Sequence, residues 1–142
     1  MNELMNSRKP DLDLAWLLDQ MLDNVPDTLH ALVLTHDGLP AAFSKNLDQD
    51  QADKISAACG TLRATSKALS YELEGGDIDM NLLATETMSM YVLAVDPRNS
   101  VLVVAGRSVD AEQLQYEMRR LIKNVGERLG KGARNPVGAE KH

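Results

Sequence analysis

Residues 31–39 read Ala31-Leu32-Val33-Leu34-Thr35-His36-Asp37-Gly38-Leu39, and this stretch decides the fold. A β-rich run that begins at Leu29 and holds Leu32, Val33 and Leu34 ends at Thr35. His36-Asp37-Gly38 supplies a turn in which Gly38 can take a positive φ. Leu39 to Ser44 then reads as the returning strand. The stretch is a hairpin, and the segments on either side must cover it.

Upstream, Pro10-Asp11-Leu12-Asp13 opens a helix with an Asp in a capping position. The stripe Leu14, Leu17, Leu18, Met21, Leu22, Val25 follows at helical spacing, and Pro26 stops it. Residues 1–10 read as a disordered lead. Downstream, a second helix is expected from about Gln51 to Leu73, with Ile55, Cys59, Leu62, Ser66, Leu69 and Leu73 forming its core stripe. The opposite side carries Ala57, Thr61, Ala64 and Ala68, all of them small. Arg63 and Lys67 stand on one flank between the stripes and Lys54 on the other.

Glu74-Gly75-Gly76 ends that helix. Asp77-Ile78-Asp79-Met80-Asn81-Leu82 alternates with period two, as a half-buried strand does. Met88 to Val95 and Val101 to Ala105 are nearly continuous apolar runs, suited to central strands covered on both faces. A last helix begins near Asp110, carries Leu114, Met118, Leu121, Ile122, Val125 and Leu129, and is expected to stop at Gly130 and Gly132. The fold class is α+β, in the order α-β-β-α-β-β-β-α. A five-stranded, mostly antiparallel sheet with helices on both faces is the simplest packing. The domain is expected over 11–130, with 131–142 a flexible C-terminal tail.

The 142 residues are 44% hydrophobic and 25% charged, as in a globular domain, and no run approaches a membrane span. With no basic-then-apolar leader and a single cysteine, the expected location is cytoplasmic. Net charge is −6, unevenly spread: −7 over residues 1–53, −4 over 54–118 and +5 over 119–142. The acidic body argues against nucleic-acid binding. Arg119, Arg120, Lys123 and Arg128 read first as complements to a helix C-terminus.

Chemistry is sparse. There is no phosphate-cradling G-x-x-x-x-G-K-[ST] loop, and Gly75-Gly76 precedes a strand rather than a helix. His36 beside Asp37 is turn chemistry rather than catalysis, because no nucleophile is placed near it. Cys59 reads as a packed small hydrophobe. Asp48-x-Asp50 lacks the glycine and terminal glutamate of a calcium loop. No enzyme, cofactor or metal is expected. What remains is the small-residue stripe. It either favours helix formation at exposed positions or lets another helix approach closely, and a symmetry mate is the available partner. The strand Asp77–Leu82 could at the same time extend its sheet across the two-fold axis.

These residues resemble the Roadblock (dynein light-chain-like) domain family, in the actinobacterial form found beside small Ras-like GTPases. The resemblance covers roughly residues 11–129. It is carried by Leu14-Ala15-Trp16-Leu17-Leu18, by the hairpin Ala31–Leu39, by Ala57-Ala58-Cys59-Gly60-Thr61-Leu62, and by Tyr116-Glu117-Met118 with Val125-Gly126-Glu127. It implies a homodimer with paired third strands and adjacent second helices. The interface would hold Ala57, Thr61, Ala64, Ala68, Asp77, Ile78, Asp79, Met80 and Asn81. It also implies a non-catalytic regulator or scaffold for a small Ras-like GTPase, within a signalling module that includes a sensor-kinase-like component. Arg63 and Lys67 are the candidate partner-binding residues. Cys59 and Ser66 make the inner stripe less apolar than in many relatives. A small-molecule-sensing domain is the alternative, disfavoured by the scarcity of aromatic residues.

Overall fold

The structure, a computed structural model, describes residues 11–141 and the side chains of residues 11–131. The expected disordered lead at 1–10 lies outside the described residues. The elements are α1 (Leu12–Asn24), β1 (Thr28–Thr35), β2 (Pro40–Phe43), α2 (Gln49–Leu73), β3 (Met80–Ala84), β4 (Met88–Asp96), β5 (Asn99–Gly106) and α3 (Ala111–Lys141). The strands form one antiparallel sheet in the order β2-β1-β5-β4-β3.

The central strands explain the layering. In β1 and β5, successive residues are buried although they point to opposite faces, so both faces need cover. On one face Ala31, Val33, Val101, Val103 and Ala105 pack under α1 and α3, against Leu14, Leu18, Met21, Leu114, Met118, Leu121 and Val125. On the other, Leu32, Leu34, Val92, Leu102 and Val104 pack under α2, against Ala52 and Cys59. Three layers result, as the apolar runs required.

The helix starts follow the local chemistry. Asp11 caps α1 by accepting from the N–H groups of Asp13 (2.9 Å) and Leu14 (3.1 Å). Arg128 lies 3.0 Å from Asp13 and 3.6 Å from Asp11, which ties the start of α1 to α3. Arg128 thus complements a neighbouring helix rather than its own C-terminus. The expected stop of α3 at Gly130 and Gly132 is also corrected, because the helix runs to Lys141. A glycine inside a helix costs only about 1 kcal/mol and does not by itself end one.

The hairpin tip meets α2 where two glycines adjoin. Gly38 has φ +83°, and a Cβ on Gly60 would stand 2.9 Å from the Gly38 Cα. That distance leaves no room for a methyl group unless backbone moves. Gly130, by contrast, has nothing within 4 Å of its Cβ position. In urea unfolding, Gly60→Ala is expected to lose about 1–3 kcal/mol by overpacking. Gly130→Ala should gain up to about 1 kcal/mol from helix propensity. Equal midpoints for the two variants would contradict the close approach.

Candidate functional site

Helix α2 begins with a capping box: Asp48 accepts from the Gln51 N–H (2.8 Å), and the Gln51 side chain accepts from the Asp48 N–H (3.0 Å). Its first half buries Ala52, Ser56 and Cys59 against the sheet. Its 25 residues, about 37 Å of helix, carry it past the strands it covers. Leu69, Tyr71 and Leu73 are therefore 62, 81 and 71% exposed. Leu69 and Leu73, expected in the core stripe, are on its side of the helix but beyond the sheet.

On the far side, Ala57, Thr61, Ala64 and Ala68 are all exposed, as the spacing required. The Thr61 hydroxyl donates to the Ala57 carbonyl (3.1 Å), so it folds back on its own helix and leaves the ridge low.

Strand β3 begins later than expected. Its ladder with β4 runs from Met80↔Leu93 to Ala84↔Ser89, and Asp77 and Ile78 precede it. Asp79 contributes only its carbonyl, which accepts from the Ala94 N–H (3.1 Å). Arg63, expected on an exposed flank, is half-buried: its guanidinium donates to the Asn81 side chain (3.0 Å) and to the Ile78 carbonyl (3.2 Å). Asn81 in turn donates to the Ser66 hydroxyl (2.7 Å). This network clamps β3 to α2, and it gives the polar Ser66 on the inner stripe a partner. Burial pushes the Arg63 pKa below its ordinary value. Asn81 is thus turned under α2, while Lys67 remains exposed with no ion pair among the described residues.

The two sheet edges are treated differently. At the β2 edge, Pro40 offers no N–H, the register shifts between Val33 and Leu34, and the Ala41 carbonyl already accepts from the Asp11 N–H (3.0 Å). The β3 edge is Met-Asn-Leu-Leu-Ala, with no proline and no charge, and its Met80, Leu82 and Leu83 are 44, 54 and 44% exposed. Leu83 pairs with Met90 and so points to the α2 face, where Leu69 and Leu73 also lie, whereas Met80 and Leu82 point to the opposite face of the sheet and Tyr71 follows Ala64 and Ala68 on the far side of α2. Of these six, only Met80 is among the site residues expected from sequence; the uncharged run Met80–Ala84 is the available signal for Leu82 and Leu83.

Among the described residues, no group of three or more His, Cys, Asp or Glu side chains could hold a metal, and no helix is long and apolar enough to cross a membrane. His36 is exposed in the hairpin turn, where the Thr35 hydroxyl donates to Asp37. An open groove of about 490 Å³ beside α3 and a crevice of about 20 Å³ between α1 and α3 are cavities of the described residues.

The described residues thus make a three-layer α+β domain with one blunted edge, one open apolar edge and a bare helix ridge. Residues 14–105 match the Roadblock/LC7 domain, and the chain belongs to that family. A Roadblock/LC7 domain from Streptomyces avermitilis is similar to it in structure, with 30% identity and a TM-score of 0.76, covering 81% of this chain and 96% of that one. An MglB in a tetrameric arrangement shares the fold at 15% identity and a TM-score of 0.73, covering 82% of this chain and 87% of that one. Glutamyl-tRNA reductase from Pseudarthrobacter chlorophenolicus is 27% identical over 107 residues. That match covers 66% of this chain, which spans about a quarter (24%) of the reductase.

Cys59 gives the α2 packing a titratable reporter. Burial pushes its thiol from the ordinary value of 9.0 up to about 11. Between those values the unfolded chain has lost the proton that the folded chain keeps, so stability must fall as pH rises through the window. The loss is expected to reach roughly 2–3 kcal/mol by pH 11. Denaturation measured from pH 8 to 11 should show a steeper alkaline decline for the natural chain than for Cys59→Ala. Parallel slopes would mean the thiol is open to water.

Proposed function

We propose that this chain is a non-catalytic homodimeric regulator or scaffold that binds a small Ras-like GTPase and modulates its nucleotide cycle. The observation that carries the reading is the uncharged, unpaired β3 edge, together with the exposed apolar residues at the C-terminal end of α2 and the bare ridge Ala57, Thr61, Ala64 and Ala68. An uncharged edge strand invites another strand, and an isologous pair satisfies both edges at once. Two β3 strands pair across a two-fold axis, and the two α2 helices lie side by side above them. The small residues of α2 leave room for the helices to approach, and exposed apolar residues at its C-terminal end lose water. Ile78, Asp77 and Asp79 lead into the paired strands, and Arg63 and Asn81 hold strand to helix beneath the interface. Lys67, exposed where Arg63 is half-buried, is the residue left to meet the GTPase.

Family membership supports the regulatory part of this reading, since Roadblock domains serve as regulatory and scaffold modules. A platform of this kind acts by selecting one conformation of its GTPase, without donating a catalytic group. The cell compartment is the cytoplasm, and the sensor-kinase-like protein of the same module is the further partner.

Light scattering tests the pair. The natural chain should have twice its 15.6 kDa mass. Ala64→Glu buries two like charges at the axis and should weaken association by about 3 kcal/mol, roughly a hundredfold in Kd. A monomeric natural chain, or an undisturbed Ala64→Glu dimer, overturns the interface. For the partner, a Ras-like GTPase encoded beside this chain should be retained on it in a nucleotide-dependent manner. Equal retention of the GDP and GTP forms would overturn the regulatory role.

A further inference from the structure

Pairing through β3 would leave one apolar surface uncovered, on the face of the sheet opposite α2. Met80 and Leu82 pair in register with Leu93 and Tyr91, which pack into the core beneath α1 and α3. Facing cross-strand residues point the same way, so Met80 and Leu82 lie on the α3 face. They are 44 and 54% exposed. Neither this chain's α2 nor the α2 of a second copy joined at β3 can reach them, because both would lie on the other face.

On the same face, over the neighbouring strand β4, α3 presents a low wall. Gly126 and Gly130, one turn apart, line the open groove of about 490 Å³ with Val95 and Ile122. A Cβ on Gly126 would meet only the Val95 side chain (3.5 Å), and one on Gly130 nothing within 4 Å. Lys123 and Lys131 stand on the rim with Glu127. Arg119 is exposed one turn before Lys123 on the same side of the helix. Arg119, Lys123 and Lys131 make no ion pair among the described residues, unlike Arg120, which pairs with Glu117, and Arg128, which pairs with Asp11 and Asp13. An excess of positive charge on this rim, three bases against Glu127, is out of keeping with a chain of net charge −6.

We propose that this trough, floored by Met80, Leu82, Leu93 and Val95 and rimmed by Arg119, Lys123 and Lys131, receives an acidic amphipathic helix from a partner protein. The floor is the face of a sheet, on which α1 and α3 already pack, so a helix suits it better than a strand. The bare glycines let a helical backbone come close. The occupant's apolar stripe covers Met80 and Leu82 while its flanking carboxylates meet the rim. The trough belongs to a single chain, so it does not depend on dimerisation.

The probe is a fluorescein-labelled, hydrocarbon-stapled helix with leucines at i, i+3, i+4 and i+7 and glutamates on both flanks. Its control has lysines in place of the glutamates. Anisotropy with the full chain should show the acidic helix binding roughly tenfold or more tightly than the basic one. Gly130→Leu, which fills the trough, and Lys123→Glu, which reverses its rim, should each weaken binding roughly tenfold. Amide exchange should slow at β3, β4 and the middle of α3. Binding should persist in Ala64→Glu, which separates this proposal from the dimer. Equal affinity for the two helices, indifference to Gly130→Leu, or protection confined to α2 would overturn it. So would chain that sediments with phosphatidylserine vesicles while ignoring the acidic helix. A mass above the dimer that Gly130→Leu abolishes would assign the trough to another copy and overturn it as well.

Discussion

The organising constraint is a five-stranded sheet whose inner strands are apolar on both faces. Such strands cannot be left half in water, so the chain must supply cover twice. It does so with unequal means: two antiparallel helices on one face and a single long helix on the other. The single helix covers its end of the sheet well near the hairpin, where Gly38 and Gly60 adjoin, and then runs out over open space. The candidate site is a consequence of this imbalance, because the exposed apolar residues of α2 begin where the sheet beneath it ends.

Polar groups hold that unfinished side in shape. Arg63, Asn81 and Ser66 join the helix to the last strand without a formal ion pair, through hydrogen bonds to side chains and to the Ile78 carbonyl. Placing a guanidinium there carries a desolvation cost, visible in its lowered pKa. In return, helix and edge strand keep one relative position.

Features set by near neighbours in the chain were legible in the sequence. The hairpin, the Asp11 cap, the Pro26 stop and the end of α2 at Glu74 all follow from local chemistry. Features set by distant partners were not. Helical period identifies the side on which Leu69 and Leu73 lie, but not how far the sheet extends beneath them. Alternation through Asp77–Leu82 looked like strand, yet the ladder begins at Met80, because the register belongs to β4. Arg63 was assigned to solvent by its charge, and its partners lie 15 and 18 positions further along the chain. The glycines of α3 show the limit of single-residue signals. The left-handed residue that closes α2 is Glu74, with φ 57°, while α3 passes through Gly130 without ending.

The difference between the two edges also governs how far association can go. A sheet with two receptive margins could add copies without limit and become a fibril. Here the β2 margin carries a proline and a carbonyl already committed to Asp11, so among the described strands β3 is the margin where strand addition can start. Once that place is taken, no receptive margin is left for a third copy. Under the proposed pairing, the fold therefore carries its own stop to open-ended strand addition through a strand as uncharged as Met-Asn-Leu-Leu-Ala.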